Sequence, residues 1–480
     1  MNNLSLMALE VAVASLGLVL LLVDLWANLP KRAMGYAAAA GVALVLASSF
    51  FIDDTTARHA FGTSYVLDGF ALFSKRFFLT AAILVLVLSA EFAERLETSV
   101  SEYYSLLLFA LSGMMLAASA NDFVVMFVAL ELITITFYIL ASFQRRKASS
   151  LEAGLKYLIL GALASAFLIY GIALIFGASN TTNFETLARS ARSLTAQPMF
   201  ALGILLLLIG LGFKIAAFPF QVWAPDVYQG APTPTTAFLA VGSKAAGFVL
   251  LLRILTNALP DAGVVWTNVL ITVAAVTILY GNLCAIPQRN LKRLLGYSSI
   301  SHGGYMLLGV AAMSATGSAA VLYYLSGYLF TVLAAFSVIC VVMSGMESED
   351  ISSLAGLHKR SPLLALAISL SMISLAGVPP LAGFFGKFLL LKAAAEQGSV
   401  HPGFYCLIGV AIVGVLISLY YYLSVVKTIY WSEPAEGTAA LPVSAPMRFA
   451  LYACIAGMLY LGLYPGTVLS LTNEAVAALR

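Results

Sequence analysis

Apolar residues in this chain neither alternate nor keep to one helical face. They run in nearly unbroken stretches of about twenty residues, separated by short polar connections. Wound as a helix at 1.5 Å per residue, such a stretch spans the ~30 Å hydrocarbon core of a bilayer. In lipid every backbone polar group must be satisfied internally, and a continuous apolar run does so only as a helix. About fourteen crossings are expected, near residues 5–28, 34–51, 70–91, 103–119, 121–142, 152–177, 199–220, 234–256, 264–286, 296–313, 318–345, 362–390 (interrupted), 403–430 and 447–466. Longer connections fall near 52–67, 178–198, 346–361 and 431–446. The fold class is an all-α polytopic membrane protein: a single transmembrane bundle over 1–480, with no soluble domain appended.

Composition removes the alternatives. Charged residues are 10% of 480 and apolar ones 61%, with mean hydropathy +0.97. A soluble domain carries about 25% charge, so a soluble multidomain enzyme is excluded. Cys284, Cys340, Cys406 and Cys454 are scattered singly, and His59, His302, His358 and His401 form no cluster, so no metal or iron–sulfur site is expected. No GxGxxG or P-loop occurs, so no dinucleotide or ATP site is expected. The N-terminus lacks the basic region of a cleaved signal, and its apolar run reads as a retained first helix.

Charge placement gives an orientation. Lys31, Arg32, Arg95, Arg145, Arg146, Lys147, Arg289, Lys292, Arg293, Lys359, Arg360 and Arg448 fall in one set of alternate loops, against Arg58, Arg189, Arg192 and Arg480 on the other side. The positive-inside rule puts the first set in the cytoplasm and both termini outside, in the periplasm. Lys75 and Arg76 then lie near the outer end of the third helix, where snorkelling is expected.

Two apolar runs are broken by proline. One is FKIAAFPFQVWAPDVYQGAPTPTTAFLAVGSKAAGF, with Pro219, Pro225, Pro232 and Pro234; the other is SLAGVPPLAGFFGKFLL, with Pro379 and Pro380. Proline removes a donor and clashes with the preceding turn. Paired broken helices in corresponding places point to inverted repeats around a midplane path. The expected division is 1–101 (helices 1–3), 102–257 (first repeat, helices 4–8), 258–432 (second repeat, helices 9–13) and 433–480 (C-terminal helix). Helices 7 and 12 are the broken ones.

Four ionisable residues fall deep within these runs: Glu131, Lys214, Lys244 and Lys387. Glu131 and Lys244 each come about ten residues into a helix, ~15 Å from its end. An ammonium at the bilayer centre costs about 2.5–3.5 kcal/mol on insertion scales, so such residues are functional candidates by default. A buried amine is pushed toward releasing its proton, and a nearby carboxylate opposes that, so moving Glu131 relative to Lys214 would switch the proton affinity of Lys214. The competing readings are a structural Glu131–Lys214 ion pair and an interfacial Lys387. His302 and Tyr305 are a relay pair or packed, hydrogen-bonded side chains. Lys156 and Lys427, the secondary relay candidates together with His302 and Tyr305, lie near helix ends, where snorkelling is the default. Glu10 and Asp24 read as interfacial, and Asp226 and Tyr228 as capping and positioning the broken segment.

The two broken segments, together with QRNLKRLLGYSSISHGGYMLLG and SLEAGLKYLILGALASAFLIYG, resemble signatures of the N-subunit family of proton-translocating NADH:quinone oxidoreductase, respiratory complex I. PDVYQGAP looks like the N type rather than its M- and L-type siblings. The resemblance implies an antiporter-like proton-translocating subunit of the inner membrane, with Glu131, Lys214, Lys244 and Lys387 matching the family's relay positions. It implies that NADH, FMN, iron–sulfur clusters and quinone are bound by other subunits. K-, M- and J-type neighbours are the expected partners. Helix ten offers Tyr305 and His302 where a second carboxylate would complete the repeat, so the halves differ in chemistry. An Mrp-type cation/proton antiporter or membrane-bound hydrogenase subunit is the alternative on the same fold. A passive membrane scaffold is the alternative of another class.

Overall fold

The computed structural model describes residues 3–27, 29–53, 56–96, 100–260, 263–343, 349–433 and 440–479. Arg480, counted above for orientation, lies outside them. The helices are α1 (Ala8–Trp26), α2 (Lys31–Ser49), α3 (Gly69–Phe92), α4 (Val100–Ala118), α5 (Phe123–Ala141), α6 (Ala148–Ser179) and α7 (Phe184–Leu194). Next come α8 (Pro198–Ile215), α9 (Trp223–Gly230), α10 (Thr233–Ala258), α11 (Gly263–Ala285), α12 (Leu291–Ala311) and α13 (Ala315–Val342). The chain ends with α14 (Pro362–Ala376), α15 (Ala382–Gly398), α16 (Gly403–Trp431), α17 (Ala445–Leu463) and α18 (Pro465–Ala477).

Among the described residues, twelve helices are long and apolar enough to cross a membrane. The helix α12 and the pair α14–α15 fall outside that set: α12 carries Lys292, Arg293 and a serine-rich middle, and α14 is short because a break follows it. Two expected loops hold structure. The connection at 178–198 contains α7, and that at 52–67 contains an antiparallel hairpin, Arg58–Ala60 with Tyr65–Leu67.

Helix starts are set by side chains that take orphan backbone donors. Asp68 accepts from Ala71 N at 2.7 Å, Asp122 from Val124 N at 2.7 Å and Asn290 from Arg293 N at 2.9 Å. Mid-chain α10 is buried from Thr233 to Leu255, whereas α6 and α16 expose apolar side chains such as Leu158, Tyr170, Leu416 and Tyr420. The core therefore sits around α10, α12 and α13, with a lipid-compatible rim.

The two breaks share a local form. Ala216 and Gly377 both take left-handed backbone at the helix end, φ 56° and 86°. In each, the next amide reaches back five residues: Ala217 N to Gly212 O at 2.8 Å and Val378 N to Ile373 O at 3.2 Å. This doubly bonded end satisfies carbonyls that the break would orphan. Pro219 and Pro380 follow at the same offset, in cis peptide bonds. Pro379 also lies in its break. Pro225 does not: it is in the first turn of α9, where a missing N–H costs nothing, and it opens that helix rather than breaking one.

Candidate functional site

Glu131 projects from the middle of α5 and is half-buried. Ser165 on α6 donates to its Oε1 at 2.5 Å. Lys214, the penultimate residue of α8, is 6% exposed, and its Nζ has no hydrogen-bonding partner. The competing reading, a structural Glu131–Lys214 ion pair, finds no such contact: Glu131 is held from α6, and Lys214 is not held. Tyr138, two turns beyond Glu131, has a buried hydroxyl that is also unpartnered. It faces Gly161 of α6, where a Cβ would come within 1.9 Å of that oxygen.

Lys244 lies in α10 directly after a π-helical turn, Leu239–Ser243. Such widened turns redirect side chains and often mark functional positions. Its Nζ donates to Ser299 O at 2.6 Å and also to Ser299 Oγ. Ser299 Oγ pairs with Tyr228 Oη of α9 at 2.9 Å. The two lysines are close along α10: a Cβ on Gly247, a turn beyond Lys244, would lie 3.4 Å from Lys214 Cβ.

Lys387 stands in α15 beyond the second break and is buried, which excludes the interfacial reading. Its Nζ donates to Leu375 O at 2.8 Å and Ala376 O at 3.2 Å, the last carbonyls of α14. Those carbonyls carry the negative end of the helix dipole. The Tyr305 ring lies beneath, 4.8 Å from Nζ to its centroid. His302, a turn before Tyr305, is hydrogen-bonded through Nδ1 to Tyr324 Oη and through Nε2 to Tyr422 Oη at 3.0 Å. Tyr305 Oη donates to Ala411 O at 3.0 Å. His302 is thus a satisfied polar centre of α12, α13 and α16, between the surroundings of Lys244 and Lys387.

The secondary candidates separate. Lys427 is exposed on α16. Lys156 does not merely snorkel: it pairs with Glu152 Oε1 and Asp226 Oδ2, each at 2.6 Å. Asp226 also takes Arg293 Nη1 at 2.5 Å through its other oxygen.

Two expectations fail at the N-terminal end of the bundle. Glu10 is not interfacial and Lys75 does not snorkel: they are 3% and 0% exposed and pair at 2.7 Å. Tyr65 Oη donates to Glu10 Oε1 at 2.9 Å and receives from Lys75 Nζ at 2.8 Å. Beside them Arg253 of α10 makes a forked pair with Asp68, both bonds 2.9 Å. Asp24 accepts from Ser101 Oγ at 2.6 Å. Sequence reasoning missed Arg253, although an arginine inside an apolar run was the available signal. Its partner lies 185 residues away, and no helical spacing reveals that.

Five lysines are buried among the described residues. Lys75 and Lys292 have carboxylate partners, at 2.7 Å on Glu10 and 3.0 Å on Glu349. Lys214, Lys244 and Lys387 have none, and rest on neutral oxygens or on nothing. Desolvating an ion costs several kcal/mol unless a partner offsets it. These three are therefore the groups whose protonation state burial contests most.

A family model described as NADH:quinone oxidoreductase/Mrp antiporter, transmembrane, matches residues 120–418. Subunit N of NADH-quinone oxidoreductase from Moorella thermoacetica is 42% identical, over 99% of this chain and 98% of its own. A chain of respiratory complex I from Thermus thermophilus with bound aureothin superposes with TM-score 0.80 at 36% identity, covering 96% of this chain and 98% of that one. A chain of the Mrp complex from Dietzia sp. DQ12-45-1b shares the fold at TM-score 0.85 and 23% identity, over 99% and 97% of the two chains.

Proposed function

This chain belongs to the N-subunit family of NADH-quinone oxidoreductase, within the antiporter-like membrane proteins, and on that premise we propose that it moves protons through Glu131, Lys214, Lys244 and Lys387. The observation that carries the reading is the contrast among buried lysines: the three in the relay lack the carboxylate that each structural lysine has. A carboxylate beside a buried ammonium favours its charged form, whereas an ammonium in low dielectric without one can exchange a proton more readily. Glu131 is the one carboxylate of the set, and its position relative to Lys214 sets how strongly that lysine holds a proton. His302 and Tyr305 lie between Lys244 and Lys387 and serve as the intermediate contact.

The energy comes from quinone reduction elsewhere in a multi-subunit respiratory complex. NADH, FMN, iron–sulfur clusters and quinone belong to other subunits in this reading, and K-, M- and J-type subunits are the neighbours. The bundle sits in the bacterial inner membrane with both termini periplasmic. Residues 102–257 and 258–432 act as two inverted five-helix units, a division supported by the matching ends at Ala216 and Gly377. An Mrp-type antiporter shares this fold, but the high-identity relatives are N subunits. A passive scaffold gains nothing from burying three unpaired lysines.

The test is Lys214→Ala in the assembled complex, with NADH-driven quinone reduction and proton uptake measured in membranes. Loss of both supports the relay. Wild-type rates at wild-type assembly overturn it.

A further inference from the structure

The eight-residue helix α9 touches three places that the relay reading treats separately. Trp223 Nε1 donates to Phe213 O at 3.0 Å, the carbonyl just before Lys214. Tyr228 Oη meets Ser299 Oγ, which in turn receives from Lys244. Between them Asp226 uses each carboxylate oxygen on a different helix: Oδ2 on Lys156 of α6 and Oδ1 on Arg293 of α12. Arg293 Nη1 also donates to Gln229 Oε1 at 3.2 Å, and Glu152 takes the other side of Lys156.

Both bridged helices deliver a serine to a relay group. The helix α6 carries Lys156 and, nine residues on, Ser165, which holds Glu131. The helix α12 carries Arg293 and, six residues on, Ser299, which holds Lys244. The position has a counterpart: Asp226 stands ten residues after the left-handed end at Ala216, and Lys387 stands ten residues after the one at Gly377. Both broken helices thus place an ionisable side chain at one offset, in opposite sign.

Partly exposed ion pairs contribute little to stability by themselves, so the value of this bridge lies in what it joins. We infer that Asp226 is a positioning residue that clamps α6 to α12 and thereby sets the Glu131 site against the Lys244 site; this rests on the relay reading above. Without its charge, Lys156 and Arg293 face each other across α9 with no anion between them. The helices then part, and Ser165 and Ser299 move with them. A glutamate preserves the charge and both acceptors.

The experiment compares Asp226→Asn, Asp226→Glu, Ser299→Ala and the double variant Asp226→Asn/Ser299→Ala in the assembled complex. Assembly is read on native gels, and quinone reduction and proton uptake per complex are read in membranes. Asp226→Asn should lower turnover roughly threefold to thirtyfold, within the range of mutations along a coupling network. Asp226→Glu should keep most of it, and Asp226→Asn should cost less in the Ser299→Ala background than alone, because part of its effect runs through Lys244. If Asp226→Asn does not assemble, Lys156→Gln opens the same bridge and must give the same loss and the same non-additivity. Wild-type turnover per complex in the variant that assembles, or losses that multiply, overturns the clamp. Glu131→Ala and Lys244→Ala separate the two ideas: wild-type rates there sink the relay, whereas crippled rates beside an active Asp226→Asn sink only the clamp.

Discussion

Lys387 holds its ammonium 4.8 Å from the centre of the Tyr305 ring, while two carbonyls at the end of α14 take its hydrogens. The cation is supported by a π face and a helix end, both neutral. A relay site needs a titratable side chain of suitable reach there. Lys387→Met should cut proton uptake by roughly a hundredfold, the scale of losing a proton-transfer group. Lys387→Arg should be poor because guanidinium stays protonated. Lys387→Glu should keep partial activity, since its protonated form still offers a donor to Leu375 O or Ala376 O. Lys392, exposed on the same helix, serves as the control, and Lys392→Met should be silent. An active arginine beside a dead glutamate would show that only positive charge matters.

For Glu131 the structure sharpens what to vary. Its carboxylate is oriented by Ser165 and does not touch Lys214. Glu131→Ala should lower turnover at least tenfold, whereas Glu131→Asp should be milder because the charge stays. Ser165→Ala should fall between wild type and Glu131→Ala, because the carboxylate stays and loses only the hydrogen bond that orients it. Quinone reduction in membranes ranks the three. A Ser165→Ala variant as impaired as Glu131→Ala would mean that the serine does more than orient.

Glu10 and Lys75 make a contrasting pair, sealed from solvent and bound to each other. Breaking such a pair from one side leaves a buried charge and costs about 3–5 kcal/mol, whereas replacing both ends is often neutral. Glu10→Gln and Lys75→Met should each reduce the amount of assembled complex and lower its thermal midpoint. The double variant should recover most of that loss. Recovery of stability without recovery of pumping would assign the pair a part in proton movement.

The two helix ends give a backbone test. Ala216 and Gly377 share the left-handed conformation, which costs an L side chain about 1–2 kcal/mol. Ala216→Gly should be neutral or slightly stabilising. Gly377→Ala should impair turnover, because its Cβ would fall 2.9 Å from Lys387 Cδ and displace that side chain. Equal behaviour of the two variants, in thermal melts and in turnover, would count against this reading.

The sequence by itself determined the class of this protein and most of its elements. Uninterrupted apolar runs admit one solution in lipid, and prolines mark where a helix must stop, so most of the long helices and both breaks were legible within a few residues, although twelve described helices rather than fourteen are long and apolar enough to cross. That Glu131, Lys214, Lys244 and Lys387 are ionisable side chains inside helices was legible for the same reason, since each stands out against an apolar background. Only the tertiary structure decided which charges meet. Lys75 and Lys214 are each a lysine in an apolar run, yet one finds Glu10 at 2.7 Å and the other finds no partner. Likewise Arg253 meets Asp68 across 185 residues, and Asp226 joins α6 to α12 rather than capping its own helix. Hydrophobicity is a property of each segment and can be read along the chain. Pairing depends on how helices pack and rotate against each other, and that follows from the whole bundle at once.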